Sequence, residues 1–190
     1  MKKNRNKKLW SLDIPVKEKV NDKEIKEFYE VCKKKIGFIP NIIKTNSIDK
    51  KKFKVFNSYY NKLMQDENLL TKIEKEMIAV VVSSINRCLY CCISHGYNLS
   101  NLLKDKIQSE KILINYKTAE LNIKYITMLD FVSKITKSSS LIDKKDRELL
   151  RKQNFSDKEI LEIIEVASFF NMTNRIASAT NMQPNEEYYL

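Results

Sequence analysis

An all-α fold is expected for this chain. Three features lead there: two glycines and three prolines in 190 residues, apolar residues recurring at helical spacing, and two capping boxes placed ahead of apolar runs. Sandwiches, barrels and doubly wound sheets need many tight turns, which glycine permits at little steric cost. A chain so poor in glycine suits helices joined by short polar links. Hydrophobic residues make up 43% of it, enough for one core of ordinary size.

The elements follow in order. From Asp22 to Lys35, Ile25, Phe28, Tyr29 and Cys32 recur at helical spacing, and Gly37 ends the run. Pro40 blocks continuation through the turn Gly37-Phe-Ile-Pro40-Asn41. Asp49 is placed to cap a helix carrying Phe53, Val55, Phe56, Tyr59, Tyr60, Leu63 and Met64. Thr71-Lys-Ile-Glu74 reads as a capping box, in which each side chain closes a backbone donor of the other. The helix it opens is apolar all round from Met77 to Val82, so it belongs at the centre of the fold. A break at Asn86-Arg87 leads into a cysteine-bearing helix from about Cys88 to Lys104. Further helices are expected at 106–115, 118–136, 143–153 and 157–180, the last opened by the capping box Ser156-Asp-Lys-Glu159. With no internal repeat and no low-complexity linker, residues 11–190 read as a single domain and 1–10 as a disordered basic tail.

The formal net charge of +11 raises the question of an acidic partner. The lysines are scattered over helix faces without the aromatic interleaving that reads bases, so no nucleic-acid partner is expected. Nor is a membrane partner, because no apolar run approaches the roughly 18 residues of a span. The basic start is followed by no long apolar stretch of a secretory signal. A cytoplasmic protein is expected, with organelle targeting by the N-terminus left open. Three of the four cysteines fall within five residues, which fits redox work or metal binding in a reducing compartment better than a disulfide scaffold.

The chemistry concentrates in Cys88-Leu-Tyr-Cys91-Cys92-Ile-Ser-His95. At about 100° per residue, positions 88, 91 and 95 fall within roughly 60° of one another on a helix. A Cys-x-x-Cys pair there can close a disulfide, and the helix N-terminus favours the reactive thiolate. His95, the chain's single histidine, stands one turn beyond Cys91, where an imidazole can take a thiol proton. Glu76 falls on the same side of its helix as Ile73, Met77, Val80 and Ser84, and a carboxylate on an apolar face needs a partner. Facing His95, it would orient the imidazole and complete a proton relay. Cys32 and Cys92 read as small hydrophobic fillers. Zinc is the rival use of these residues, but it wants four ligands and the chain has no second metal-type pair.

The stretch Glu74-Lys-Glu76-Met-Ile-Ala-Val-Val-Val-Ser-Ser-Ile-Asn-Arg-Cys88-Leu-Tyr-Cys91-Cys92-Ile-Ser-His95-Gly96 resembles the signature of AhpD-like alkylhydroperoxidases, the peroxidase-related branch of the carboxymuconolactone decarboxylase superfamily. Lys35-Ile-Gly-Phe-Ile-Pro-Asn41 is similar to that group's turn, and Phe155-Ser-Asp-Lys-Glu-Ile160 with Phe170-Asn171-Met-Thr-Asn174-Arg175 to its final helix. The resemblance spans nearly the whole chain. It implies an AhpD-like helical fold that self-associates, and a thiol-dependent hydroperoxide reductase that needs no cofactor. Cys91 matches the cysteine that attacks the peroxide, Cys88 the one that resolves it, and Glu76 with His95 the relay. Helix physics alone favours Cys88 as the more acidic thiol. Two positions depart from the pattern: Tyr90 stands where some members carry histidine, and Cys92 where an apolar residue is usual. The partners implied are a hydroperoxide and a dithiol reductant, namely a lipoyl group, a thioredoxin-like protein or a small thiol. Two other functions use the same residues: a disulfide reductase feeding a peroxiredoxin, and a non-enzymatic zinc-binding or oxidant-sensing module.

Overall fold

A computed structural model describes residues 8–16, 20–66 and 69–189. Most of the basic tail expected at the N-terminus, residues 1–7, lies outside the described residues. Among the described residues the protein is all-α, with nine α-helices, three short 3₁₀ turns and no strand. None of the helices is long and apolar enough to cross a membrane.

Local capping explains most of the boundaries. α1 (Lys23–Ile36) starts where Asp22 accepts from the amides of Glu24 and Ile25, and ends at Gly37, whose φ of 85° is the left-handed conformation that glycine adopts freely. α3 (Lys50–Gln65) is capped by Asp49. Both expected capping boxes are present, at the start of α4 (Lys72–Ile85) and of α9 (Asp157–Ala179). The break between α4 and α5 (Leu89–Leu103) is made by Asn86 and by Arg87, which takes φ 53°. α6 (Lys106–Asn115) and α8 (Lys144–Lys152) fall close to their expected spans, and α8 carries a third capping box, Asp143 with Asp146.

Two local expectations are corrected. The turn after Gly37 leads into a short helix, α2 (Asn41–Asn46), whose first amide is capped from a distance: Asn41 N donates to Asn185 Oδ1 at 2.7 Å. α7 runs Ile123–Ser138 instead of starting near 118. Residues 116–118 form a 3₁₀ turn, Glu120 takes φ 54°, and Asn122 caps the helix by accepting from Tyr125 N.

α4 is the central helix, packed against α5, α7 and α9. None of its residues from Met77 to Val82 is more than 2% exposed, and Leu99, Met128, Leu129, Ile163, Val166 and Phe170 close around them. Each such large side chain contributes about 1.5–3 kcal/mol through burial. α4 also carries a lysine with no access to water. Lys75 is 0% exposed, its ammonium lies 3.0 Å from Glu162 Oε1 on α9, and it donates to the carbonyl of Asp66. The other Glu162 oxygen accepts from Leu70 N at 2.8 Å, so one carboxylate ties the α3–α4 link to α9.

The chain ends are fastened beside α2. Ser11 N donates to Thr180 O, and Gln183 N donates to Leu9 O. Asn185 Nδ2 donates to Ile39 O, and Asn41 Nδ2 to Gln183 O. The C-terminal segment thus clamps the turn before α2 against α5, where Tyr188 meets Phe38 and Tyr97 edge-on.

Candidate active site

Cys88 is the N-cap of α5, with extended backbone (φ −80°, ψ 102°), so it precedes the helix that Leu89 begins. Its carbonyl accepts from Cys92 N, the first hydrogen bond of that helix. This places the Cys88 sulfur over the first free amides, where a thiolate is favoured. Cys91 lies a turn in, with the two sulfurs 2.8 Å apart. A disulfide bond is about 2.05 Å long, so closing it needs a shift of less than roughly 1 Å. In this structure both thiols are free.

The two thiols are pushed in opposite directions. Cys88 is lowered from 9.0 to about 6, first by the hydrogen bond from the Cys91 thiol and then, against burial, by the Cys91 amide, the Ser178 hydroxyl and the charge of His95. Cys91 is raised, first because its proton is held in the bond to Cys88 and then by burial. Asn174 partly opposes that rise. Both shifts favour the thiolate on Cys88 over Cys91, in line with its place at the helix terminus. Yet Cys91, not Cys88, lines the large cavity described below.

Glu76 and His95 meet. Nδ1 of His95 lies 2.7 Å from Glu76 Oε2, and Asn98 Nδ2 donates to Glu76 Oε1 at 3.3 Å. Both side chains are nearly out of solvent, at 12% for His95 and 9% for Glu76. The edge of Phe170 packs against the imidazole at 4.5 Å between ring centres. A carboxylate only accepts, so Nδ1 carries a proton toward Glu76, and Nε2 is the nitrogen left for proton exchange with a substrate. Neither thiol makes a hydrogen bond to the imidazole among the described residues. His95 acts on Cys88 through its charge, and shares the cavity wall with Cys91.

Asparagines of α9 hold this floor in place. Asn174 is fully buried, donates to Ser83 Oγ at 3.2 Å and accepts from Asn86 Nδ2 at 3.1 Å. Asn86 also donates to Asn171, which in turn donates to Thr136. Asn174 faces the Cys91 sulfur and was not singled out as a site residue. Its signal was present, as a buried-type asparagine within the apolar run of the final helix.

The cavity beside the floor has a volume of about 620 Å³ and runs between α1, α2, α3, α5 and α9. Cys91, His95, Glu76 and Phe170 line its inner end. Tyr90 lies buried beneath it and accepts from Ile42 N at 3.2 Å, so it anchors α2 to α5. Cys32 stands on the opposite wall, half-buried, its thiol pushed up to about 11 by burial. Cys92 does not line the cavity, and its thiol is also pushed up to about 11 by burial. Among the described residues no three His, Cys, Asp or Glu side chains converge as a metal site.

Comparison with known proteins agrees with the motif. The carboxymuconolactone decarboxylase family model matches residues 52–112, from α3 into α6. Crystal structures of two relatives cover nearly the same length. An uncharacterized peroxidase-related protein from Silicibacter sp. TM1040 is 43% identical over 97% of this chain and 96% of that one, with a TM-score of 0.93. A second such protein, described as an alkylhydroperoxidase AhpD core from Ralstonia eutropha JMP134, is 34% identical over 89% of each chain, with a TM-score of 0.85. The debrominase Bmp8 has the same fold at 18% identity over 88% of this chain and 89% of that one, with a TM-score of 0.76. No curated protein matches the chain. The all-helical fold, the Cys-x-x-Cys at the head of α5 and these two full-length relatives agree: the chain belongs to the carboxymuconolactone decarboxylase superfamily, in its AhpD-like, peroxidase-related branch.

Proposed function

We propose that the protein is a thiol-dependent hydroperoxide reductase working through Cys88 and Cys91, with Glu76 and His95 as its proton relay. One observation carries the reading: a pair of free thiols 2.8 Å apart, one of them opening on a cavity that it shares with a carboxylate-held imidazole. The fold alone would not, since the same fold serves a debrominase.

The opposed thiols fit a division of labour. At rest the charge sits on Cys88 and the proton on Cys91. Transfer of that proton along the S–H···S contact gives a Cys91 thiolate facing the cavity. The thiolate attacks one oxygen of ROOH, the O–O bond breaks, and Cys91 becomes a sulfenic acid. The departing alkoxide takes a proton from protonated His95, which Glu76 holds through Nδ1. The Cys88 thiol then attacks the Cys91 sulfenic acid, its proton leaving with the displaced hydroxide as water, and the Cys88–Cys91 disulfide forms. Two thiols and ROOH thus give one disulfide, ROH and water. An external dithiol, either a lipoyl group, a thioredoxin-like protein or a small thiol, returns the pair to its reduced state. Self-association belongs to the same reading, supported by Leu161, Met172 and Ile176, exposed apolar side chains along one face of α9.

The test is peroxide consumption with excess dithiol by the wild type, Cys91→Ser and Cys88→Ser. Wild-type turnover lost in both variants is expected. A wild type whose disulfide cycles without consuming peroxide would instead make it a disulfide reductase serving a separate peroxidase.

A further inference from the structure

The cavity carries information about the substrate that the thiols do not. Its inner end is buried, with Cys91 4% and Glu76 7% exposed. Apolar side chains such as Phe28, Phe56 and Met64 form much of its walls, alongside the amides of Asn61, Gln65 and Asn101. Near the C-terminal end of α1 stands Lys35, exposed and without a side-chain ion pair or hydrogen bond among the described residues. Lys72 is the other lysine of the lining. Glu76 is the single carboxylate among the lining residues, and it is engaged by His95 and Asn98. A ligand in this cavity can therefore set an anionic group against exposed Lys35 and an apolar chain along the walls, with its reactive end at the buried floor.

Hydrogen peroxide, not much larger than a water molecule at about 30 Å³, would fill a small fraction of such a space and bury no apolar surface. We infer that the substrate is the hydroperoxide of a long-chain carboxylic acid, its hydroperoxy group at Cys91, its hydrocarbon along the apolar side chains of the walls and its carboxylate at Lys35. This rests on the reductase reading and names the peroxide within it. The hydroperoxy acid is reduced to the hydroxy acid, with two electrons from the Cys88/Cys91 thiols. Water leaves as the disulfide forms, and the external dithiol is oxidised in the next step.

Two measurements separate this inference from the reading beneath it. The first is kcat/KM, with excess dithiothreitol, for an octadecadienoic acid hydroperoxide, its methyl ester, tert-butyl hydroperoxide and hydrogen peroxide. Each buried methylene is worth about four-fold in binding, so the acid should exceed tert-butyl hydroperoxide by at least about 100-fold. The acid should also be preferred over its ester, and Lys35→Glu should cut that preference by about five-fold. The second is displacement of a fluorescent fatty acid from Cys91→Ser by octadecadienoic acid, which carries no peroxide. Displacement by the acid in preference to its ester supports the ligand class even if no peroxide is consumed, in which case the reductase reading alone falls. Turnover of all four peroxides at similar kcat/KM, with no displacement, overturns the inference and leaves the reductase standing. An acid-to-ester ratio of one in the wild type also overturns the role of Lys35.

Discussion

Replacing Cys91 with alanine should return Cys88 to the range of an ordinary thiol or above it. The drop from 9.0 to about 6 owes most to the hydrogen bond shared with Cys91, across 2.8 Å between the sulfurs. It corresponds to about a thousand-fold in acid constant, or roughly 4 kcal/mol. At pH 7 a thiol with a midpoint near 6 is about nine-tenths thiolate; one at the ordinary value is about one-hundredth. Without the donor, burial still opposes ionisation, so the midpoint climbs past neutrality. Cys91→Ser keeps a hydroxyl donor and should fall in between. The assay is the pH dependence of iodoacetamide alkylation in the reduced protein, resolved by peptide. Cys32 and Cys92, both pushed up to about 11, serve as internal controls that stay largely unmodified at neutral pH. A Cys88 midpoint that remains near 6 in Cys91→Ala would refute the assignment of the thiolate to the sulfur pair.

Other consequences follow from the same geometry. Because Cys88 ionises near 6 when folded and near 9 when unfolded, the unfolded chain binds more protons between those values. Stability of the reduced protein should therefore rise with pH across that window, by about 2–4 kcal/mol, and be lost as pH falls through 6. Cys91 has the opposite sign, its contribution being lost as pH climbs above the ordinary thiol range. Urea midpoints of reduced wild type and Cys88→Ser will show whether the rise belongs to Cys88. Glu76→Gln removes the carboxylate behind His95 and should lower peroxide turnover by about 100-fold or more while the helical circular dichroism is unchanged. Glu162→Gln leaves the Lys75 ammonium buried without its charge partner and should cost about 3 kcal/mol, read from urea unfolding.

What the sequence made legible is what depends on near neighbours. Asp22, Asp49, Thr71 with Glu74 and Ser156 with Glu159 cap helices through contacts within three residues, so they could be read directly. The shared face of Cys91 and His95 is one helical turn. Glu76 stood out because a carboxylate interrupted an apolar face, and His95 was the one partner of suitable chemistry. Lys75, its immediate neighbour, did not stand out, because lysine usually marks a solvated face and Glu162 comes from a helix far along the chain. α2 escaped notice for the same reason: Pro40 offers it no side-chain cap, and Asn185 reaches across from the C-terminus instead. The late start of α7 was hidden by Asn122, whose capping role shows only once Glu120 turns left-handed. Cys32 read as filler on the apolar face of α1, and nothing local indicated that it faces the same cavity as Cys91. The order of thiol acidity was legible from the helix terminus, whereas access from the cavity required the fold.

The central claim is tested most directly by adding one equivalent of an organic hydroperoxide to the fully reduced protein, then blocking with an alkylating agent and mapping the peptides. A single intramolecular bond between Cys88 and Cys91 should form, leaving Cys32 and Cys92 as free thiols, and Cys88→Ser should trap a sulfenic acid at Cys91. Unchanged thiols at Cys88 and Cys91, or a bond formed through Cys32 or Cys92 in their place, would contradict the proposed chemistry.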